Sequence, residues 1–260
     1  MKTKRFIILT VIIAVIAAMF CACGEDENKN KNSATQDHLN YNTPESTSGN
    51  SATPAPEGQP TVFEVPVDQL PDFKQIGYGD TFIFGKFEQD NDTSNGPELL
   101  EWVVIGFDEG KILAVTAYVI DNRTFNHTMW EASTWEKCDL RQNLNGQFFA
   151  QTFSDAEKEL ILETELTTGG IKTKDKVFLL SREEVESCFI DEIDRATIAT
   201  EYALKQGAYK MGNEGFSRWW LRSLYDRHRV DVVDENGVIG PNYPFNGGGS
   251  VRPAIWISIG

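Results

Sequence analysis

Glu101-Trp102-Val103-Val104-Ile105-Gly106-Phe107, then Asp108-Glu109-Gly110, then Lys111-Ile112-Leu113-Ala114-Val115-Thr116-Ala117-Tyr118-Val119: two runs rich in β-branched and aromatic residues, parted by a polar segment ending in glycine, predict a β-hairpin. Upstream, residues 81–85 alternate as a short strand. Downstream, three Ser-x-x-Glu patterns predict helix starts, at Ser133/Glu136, Ser154/Glu157 and Ser181/Glu184. In such a box the hydroxyl and the carboxylate each satisfy a backbone donor that the first helical turn leaves unpaired. Leu140, Leu144 and Phe148 follow the first box at four-residue spacing. A fourth helix is predicted over 195–206, with Asp194 as cap and Gly207 as stop. Residues 177–180 read as a buried strand, and the rest as strand and loop: 218–222, 230–233, an Asn236-Gly237 turn that favours a two-residue hairpin, and 251–259. Strands at both ends with helices between them predict an α+β domain over residues 73–260 rather than a doubly wound sheet.

The 260 residues carry a net charge of −15, with 40 % hydrophobic residues. The first 22 hold Lys2, Lys4 and Arg5 and no acid, so their removal takes the charge from −15 to −18. A chain so acidic lacks the clustered cations of a general nucleic-acid binder, and an anionic bilayer would repel its folded part. Phe6 to Phe20 is apolar apart from Thr10. Fifteen helical residues reach roughly 22 Å, short of the ~30 Å hydrocarbon core, so residues 1–22 read as a secretory signal rather than a stable span. From Gly24 to Pro60 only Ala34, Leu39, Tyr41, Ala52 and Ala55 are apolar or aromatic, and six of the ten prolines fall between Pro44 and Pro71. Such a stretch cannot bury enough surface to offset its ordering entropy. Residues 23–72 are therefore expected to form a disordered linker, with an r.m.s. reach of roughly 35–42 Å. Val62, Phe63, Val65 and Val67 suit an extended lead-in to the domain.

Phe20-Cys21-Ala22-Cys23-Gly24 resembles a bacterial lipobox, with Cys23 as the diacylglyceryl-modified residue and Phe20 and Cys21 departing from the usual pattern. That resemblance implies an acylated lipoprotein (palmitate among its acyl groups) on the extracytoplasmic face of a bacterial cell membrane. Within the folded part, Phe84 to Gly96 followed by Glu101-Trp102-Val103-Val104, Thr134 to Arg141, Leu144-Asn145, Phe153-Ser154, Lys176 to Ser181, Trp219 to Ser223 and Val251 to Ile257 together resemble domain-of-unknown-function family 6273, common in secreted and lipid-anchored Firmicutes proteins. Leu224-Tyr225 stands where that family usually has Pro-Gly. The family has no established activity, so it implies organisation rather than chemistry. The closing residues, Trp-Leu-Arg-Ser, a glycine-rich loop and Val-Arg-Pro, also resemble the end of C-type-lectin-like domains. That likeness implies paired terminal strands and a loop region that faces ligands; it bears on fold and leaves function open.

Few residues announce catalysis. His127 and His228 are the folded part's histidines, and no zinc-helix, nucleophile-elbow or phosphate-loop motif is present. No catalytic residue, cofactor or metal is expected. Asp90-x-Asp92-x-Ser94 with Glu101 resembles a calcium loop but has Asn95 where glycine is required, so a polar hairpin loop is the expectation. Cys138 and Cys188 could pair or stay free, and spacing leaves both open. A Cys138–His127 pair lacks a third group.

The ligand candidates are Trp219, Trp220, Arg222, Tyr225, Asp226, His228, Tyr243 and Asn246. Flat rings beside hydrogen-bonding groups suit sugar faces and protein hot spots alike. Strand alternation turns at least one tryptophan inward, and Arg222 and Arg252 could equally be structural cations. The expected function is a non-catalytic binding module for a glycan, cell-wall polymer or surface protein. The alternatives are a wall-modifying hydrolase using carboxylates such as Asp226 or Asp231, or a solute-binding lipoprotein of a transporter.

Overall fold

The computed structural model describes residues 62–63, 71–128, 133–213, 215–247 and 249–259. The signal segment, Cys23, most of the linker, and Val65 and Val67 lie outside the described residues. The described part is mixed α/β, dominated by strands with short helices. Its main sheet has five strands: β1 (Val62–Phe63), β2 (Thr81–Phe87), β3 (Glu98–Asp108), β4 (Lys111–Thr116) and the last strand of the chain, Ala254–Ser258. The opening hairpin forms as the sequence requires. Asp108 faces Lys111 across the two-residue turn Glu109-Gly110, and Gly110 takes φ 68°, a conformation open to glycine at no steric cost. β4 is buried at five of its six positions, because it lies between β3 and the closing strand. The Trp102 indole N–H, inside the core, donates to the Phe84 carbonyl at 2.7 Å.

The two ends of the domain share this sheet without touching. β1 holds one edge, parallel to β2 over two residues, whereas the closing strand runs antiparallel to β4 over five. The direct pairing of terminal strands implied by the lectin likeness is thus corrected. β4 offers the last strand a longer edge, five pairs from Val115↔Ala254 to Lys111↔Ser258.

The helical middle follows part of the sequence reading. α1 (Asp139–Asn143) continues through a π-helical turn, Leu144–Phe148, into α2 (Phe149–Thr152), and Leu140, Leu144 and Phe148 are all buried. Its cap is not the Ser133/Glu136 box. The Cys138 sulfur accepts from the Arg141 N–H, and the Ser133 hydroxyl accepts instead from Asn126 Nδ2 at 3.3 Å. The other two boxes form as expected, opening α3 (Asp155–Leu160) and α4 (Arg182–Cys188). Between α3 and α4 lies a hairpin that the sequence reading missed, β5 (Thr164–Thr168) and β6 (Ile171–Asp175) around Gly169-Gly170. Only Leu166, Thr173 and Asp175 of the pair point inward, so hydrophobic patterning gave no signal.

Of the single helix expected over 195–206 only the second half forms, and its expected cap, Asp194, lies inside a short helix capped by Asp191. α5 (Glu192–Arg195) ends early, β7 (Thr197–Ile198) intervenes, and α6 (Glu201–Lys205) starts from Thr200, whose hydroxyl accepts the Ala203 N–H. The reason is local. Thr197, Ile198 and Thr200 are β-branched, and the Thr197 hydroxyl donates to the Ala117 carbonyl at 2.7 Å, which holds the segment extended. β7 pairs with β8 (Phe216–Ser217). A second sheet follows, β9 (Trp219–Leu224), β10 (Val230–Val233) and β11 (Ile239–Asn242) in the order β11-β10-β9. The closing strand Ala254–Ser258 is β12. The β10–β11 connection is longer than the expected two-residue turn, spanning 234–238. Asp234 Oδ1 accepts from the Asn236 and Val238 N–H groups, both at 2.9 Å, and so fixes a wider loop. The 177–180 segment is buried and extended, with Phe178 bridged to Ala254. Among the described residues, no helix is long and apolar enough to cross a membrane.

Candidate functional site

The register of the second sheet decides which residues meet. Leu224 faces Val230, and Val230 faces Asn242, so the end of β9, the start of β10 and the end of β11 lie level. Tyr225, the 226–229 loop and Tyr243 therefore emerge at one end of this sheet. Asp226 builds the loop. Its Oδ1 accepts from the His228 and Arg229 N–H groups at 2.8 and 2.9 Å, while Oδ2 accepts from Arg229 Nε and Nη2 at 2.8 and 2.6 Å. The Arg229 guanidinium then lies 4.8 Å from the centre of the Tyr225 ring. Such stacking is favoured by the ring quadrupole. Tyr225 and Tyr243 remain 49 % and 48 % exposed, and the Tyr243 ring leans on Phe245 at 5.6 Å. A bond from the Asn126 N–H to the Pro244 carbonyl ties this turn to the body of the domain. His228 and Asn246 are exposed.

Three of the eight candidates belong to the core. Trp219, Trp220 and Arg222 are all buried. Alternation required at least one of the two tryptophans to point inward; both are buried, because both faces of β9 are covered. Trp219 donates to the Arg195 carbonyl and lies beneath the Arg252 guanidinium at 5.0 Å. Trp220 donates to the Arg123 carbonyl and packs on Phe125 and on the backbone at Gly249, where a Cβ would lie 2.4 Å from its ring. Arg222 forks onto Glu184, the carboxylate that also caps α4, and donates to the Leu179 carbonyl. Arg252 is buried, with no carboxylate paired to it among the described residues. It donates to the Thr116 and Arg195 carbonyls, and burial pulls its guanidinium down to about 9.

The carboxylates named for hydrolysis are each engaged by an arginine. Asp231 is buried and held by Arg182 at 2.6 and 3.0 Å, and Asp226 is held by Arg229. The Arg229 bond comes first among the causes that hold the Asp226 carboxyl below its ordinary value of 3.8. A carboxylate with a depressed native pKa adds stability above its ordinary value, and that stability is lost as pH falls through the depressed one. The amide resonances of His228 and Arg229 are therefore expected to hold their positions from pH 7 to 5 and to titrate with a midpoint below 3.8. A midpoint at or above that value would mean that the loop is not built on Asp226.

The other polar clusters pair within themselves. Asp90 and Asp92 accept bonds from their own loop, including Asp92 N–H to Asp90 Oδ1 at 2.7 Å and Ser94 N–H to Asp92 Oδ1 at 3.0 Å. Glu88, Asp90 and Glu98 are the acids that crowd together, within 4.8 Å, while Glu101 pairs in the sheet with Ile83. Burial first, then the charges of Glu98 and Asp90, raise the Glu88 carboxyl. Cys138 and Cys188 are both free. Cys138 is buried, its thiol pushed up to about 12 and donated to the Trp135 carbonyl, and His127 pairs with Asp139 instead. A shallow, open groove of roughly 270 Å³ lies between Gln89, Tyr118 and Ile198–Glu201, and none of the eight candidates lines it.

A family model described as a domain of unknown function (DUF6273) matches residues 109–259. The chain belongs to the DUF6273 family. The DUF6273 match starts in the β3–β4 turn, so the resembling residues 84–104 lie outside it. Those of them in β2 and β3 are nonetheless part of the same sheet, since β3 covers the edge of β4 opposite β12. Within the DUF6273 span lie the whole β9–β11 sheet and every residue of the exposed aromatic cluster. No curated protein and no solved structure matches the chain.

Proposed function

We propose that this protein is a lipid-anchored, extracytoplasmic binding module whose folded part recognises a glycan, cell-wall polymer or surface protein through Tyr225, Tyr243 and the loop between β9 and β10. Residues 1–22 act as the lipoprotein signal, Cys23 carries the lipid, and the linker before β1 lifts the domain from the membrane. One observation carries the reading: two half-exposed tyrosines flank a loop whose arginine is already locked by Asp226. A rigid platform of rings loses little entropy when a ligand lies on it. Its open shape suits an extended polymer better than a small molecule, which needs enclosure. The lectin likeness of the closing strands agrees with loops facing a ligand, although the binding reading does not depend on it. The hydrolase and solute-binding alternatives have no comparable observation in their favour.

The test is co-sedimentation of the purified full-length protein, in detergent, with isolated cell-wall sacculi. The wild type is expected to sediment, and the Tyr225→Ala/Tyr243→Ala double variant to lose about tenfold or more in affinity, the scale of ring truncation at a hot spot. Absence of wall or surface-protein binding, together with turnover of a wall substrate, would refute the proposal. Mass spectrometry of the native protein that found the Cys23 thiol unmodified would remove the anchor from it.

A further inference from the structure

We infer that the ligand of this platform is an anionic glycan, one that bears phosphodiester or carboxylate groups along its length. The inference rests on the binding reading above and adds the ligand's charge to it. In a chain of net charge −15, the Tyr225–Arg229 loop runs the other way: Arg227 and Arg229 against the single acid Asp226. That acid is engaged inside the loop by two backbone bonds and the two Arg229 bonds, which offset its charge where a ligand would lie. Arg229 pairs with Asp226 and, among the described residues, with no second carboxylate. Arg227 is exposed and makes no ion pair or hydrogen bond among the described residues. The loop thus presents a free guanidinium, an exposed imidazole and two rings, while the exposed Asn246 adds an amide for sugar hydroxyls.

The acidity of the rest of the chain decides between a polymer strand and a lipid surface. Charges are screened beyond ~8 Å at physiological ionic strength. A single glycan strand can therefore lie on the loop without feeling the distant acids. A bilayer brings a plane of negative charge against the whole facing surface, where the net charge opposes it.

The experiment uses full-length protein in detergent and Gram-positive sacculi in three forms: untreated, stripped of phosphodiester polymer by hydrofluoric acid, and with carboxylates amidated by carbodiimide. Vesicles of phosphatidylglycerol form a fourth arm. Binding to untreated sacculi is expected to weaken as salt rises from 0.05 to 0.5 M, and to fall in whichever treated form has lost the recognised group. Arg227→Gln is expected to weaken it about fivefold, the scale of one cation at an anionic surface. Binding that survives both treatments and is indifferent to Arg227→Gln, yet is lost in Tyr225→Ala/Tyr243→Ala, would overturn the anionic inference and leave the platform standing. Preference for the vesicles would also overturn it. No binding in any arm would overturn the anionic-glycan inference and the wall ligand with it, leaving a surface protein as the ligand of the platform.

Discussion

Replacing Asp175 with alanine is expected to cost about 3–5 kcal/mol, the scale of removing one partner from a buried charged network. In a folded part of this size that corresponds to a fall of about 6–20 °C in the thermal midpoint of the full-length protein. Asp175 ends β6 with its carboxylate fully buried. One oxygen accepts from the Trp135 indole at 2.9 Å and the Thr173 hydroxyl at 2.7 Å, the other from Arg141 Nε at 2.6 Å and Asn145 Nδ2 at 3.2 Å. These four donors come from the turn before α1, from the α1/π-helical run and from β6. One carboxylate therefore binds the helical middle to the β5–β6 hairpin. Its loss strands the buried Trp135 indole N–H and takes the ion-pair partner from the half-buried Arg141 guanidinium. Asp175→Asn keeps the shape and two acceptor sites but not the charge, so its cost is expected to fall between wild type and alanine. A midpoint within 2 °C of wild type for the alanine variant would mean that water replaces the carboxylate.

Gly237→Ala is the second large effect. Gly237 has φ 84°, which costs a non-glycine residue ~1–2 kcal/mol. A Cβ there would also lie 1.7 Å from the Glu192 carbonyl oxygen, so the β10–β11 loop would have to leave α5. Overpacking of this kind adds ~1–3 kcal/mol, giving about 2–5 kcal/mol in all. Gly110 supplies the control, with φ 68° and nothing within 4 Å of the added carbon. Gly110→Ala is expected to cost only the backbone part, so the gap between the two variants in denaturant midpoints measures the docking of the loop on α5. Equal costs would show that the loop yields freely.

The two intact capping boxes were legible because the signal and the structure it specifies lie within four residues. The same holds for the Glu109-Gly110 hairpin. The Ser133/Glu136 box shows the limit of such reading: its serine is drawn to Asn126, seven residues upstream, and a buried cysteine takes over the cap. The break in the expected 195–206 helix was written in Thr197, Ile198 and Thr200, but it is enforced by the carbonyl of Ala117, which sequence cannot bring near. The candidate site divides in the same way. Tyr225, Asp226, His228, Tyr243 and Asn246 sit in loops, where local turn chemistry decides exposure. Trp219, Trp220 and Arg222 sit in a strand, where exposure depends on what lies over each face.

By itself the sequence determined the β3–β4 hairpin of the main sheet, two helix starts, the acidity of the chain, its family, and the mixture of rings and charges between β9 and β12. Those features are set by neighbours in the chain, through dihedral preference, turn residues and short-range hydrogen bonds. Only the tertiary structure decided that β12 closes on β4 rather than on the first strand, that both tryptophans are core, and that Asp226 and Asp231 each belong to an arginine. These outcomes depend on contacts between residues far apart in sequence, where burial on both faces of a strand and competition for buried polar partners outweigh any local preference.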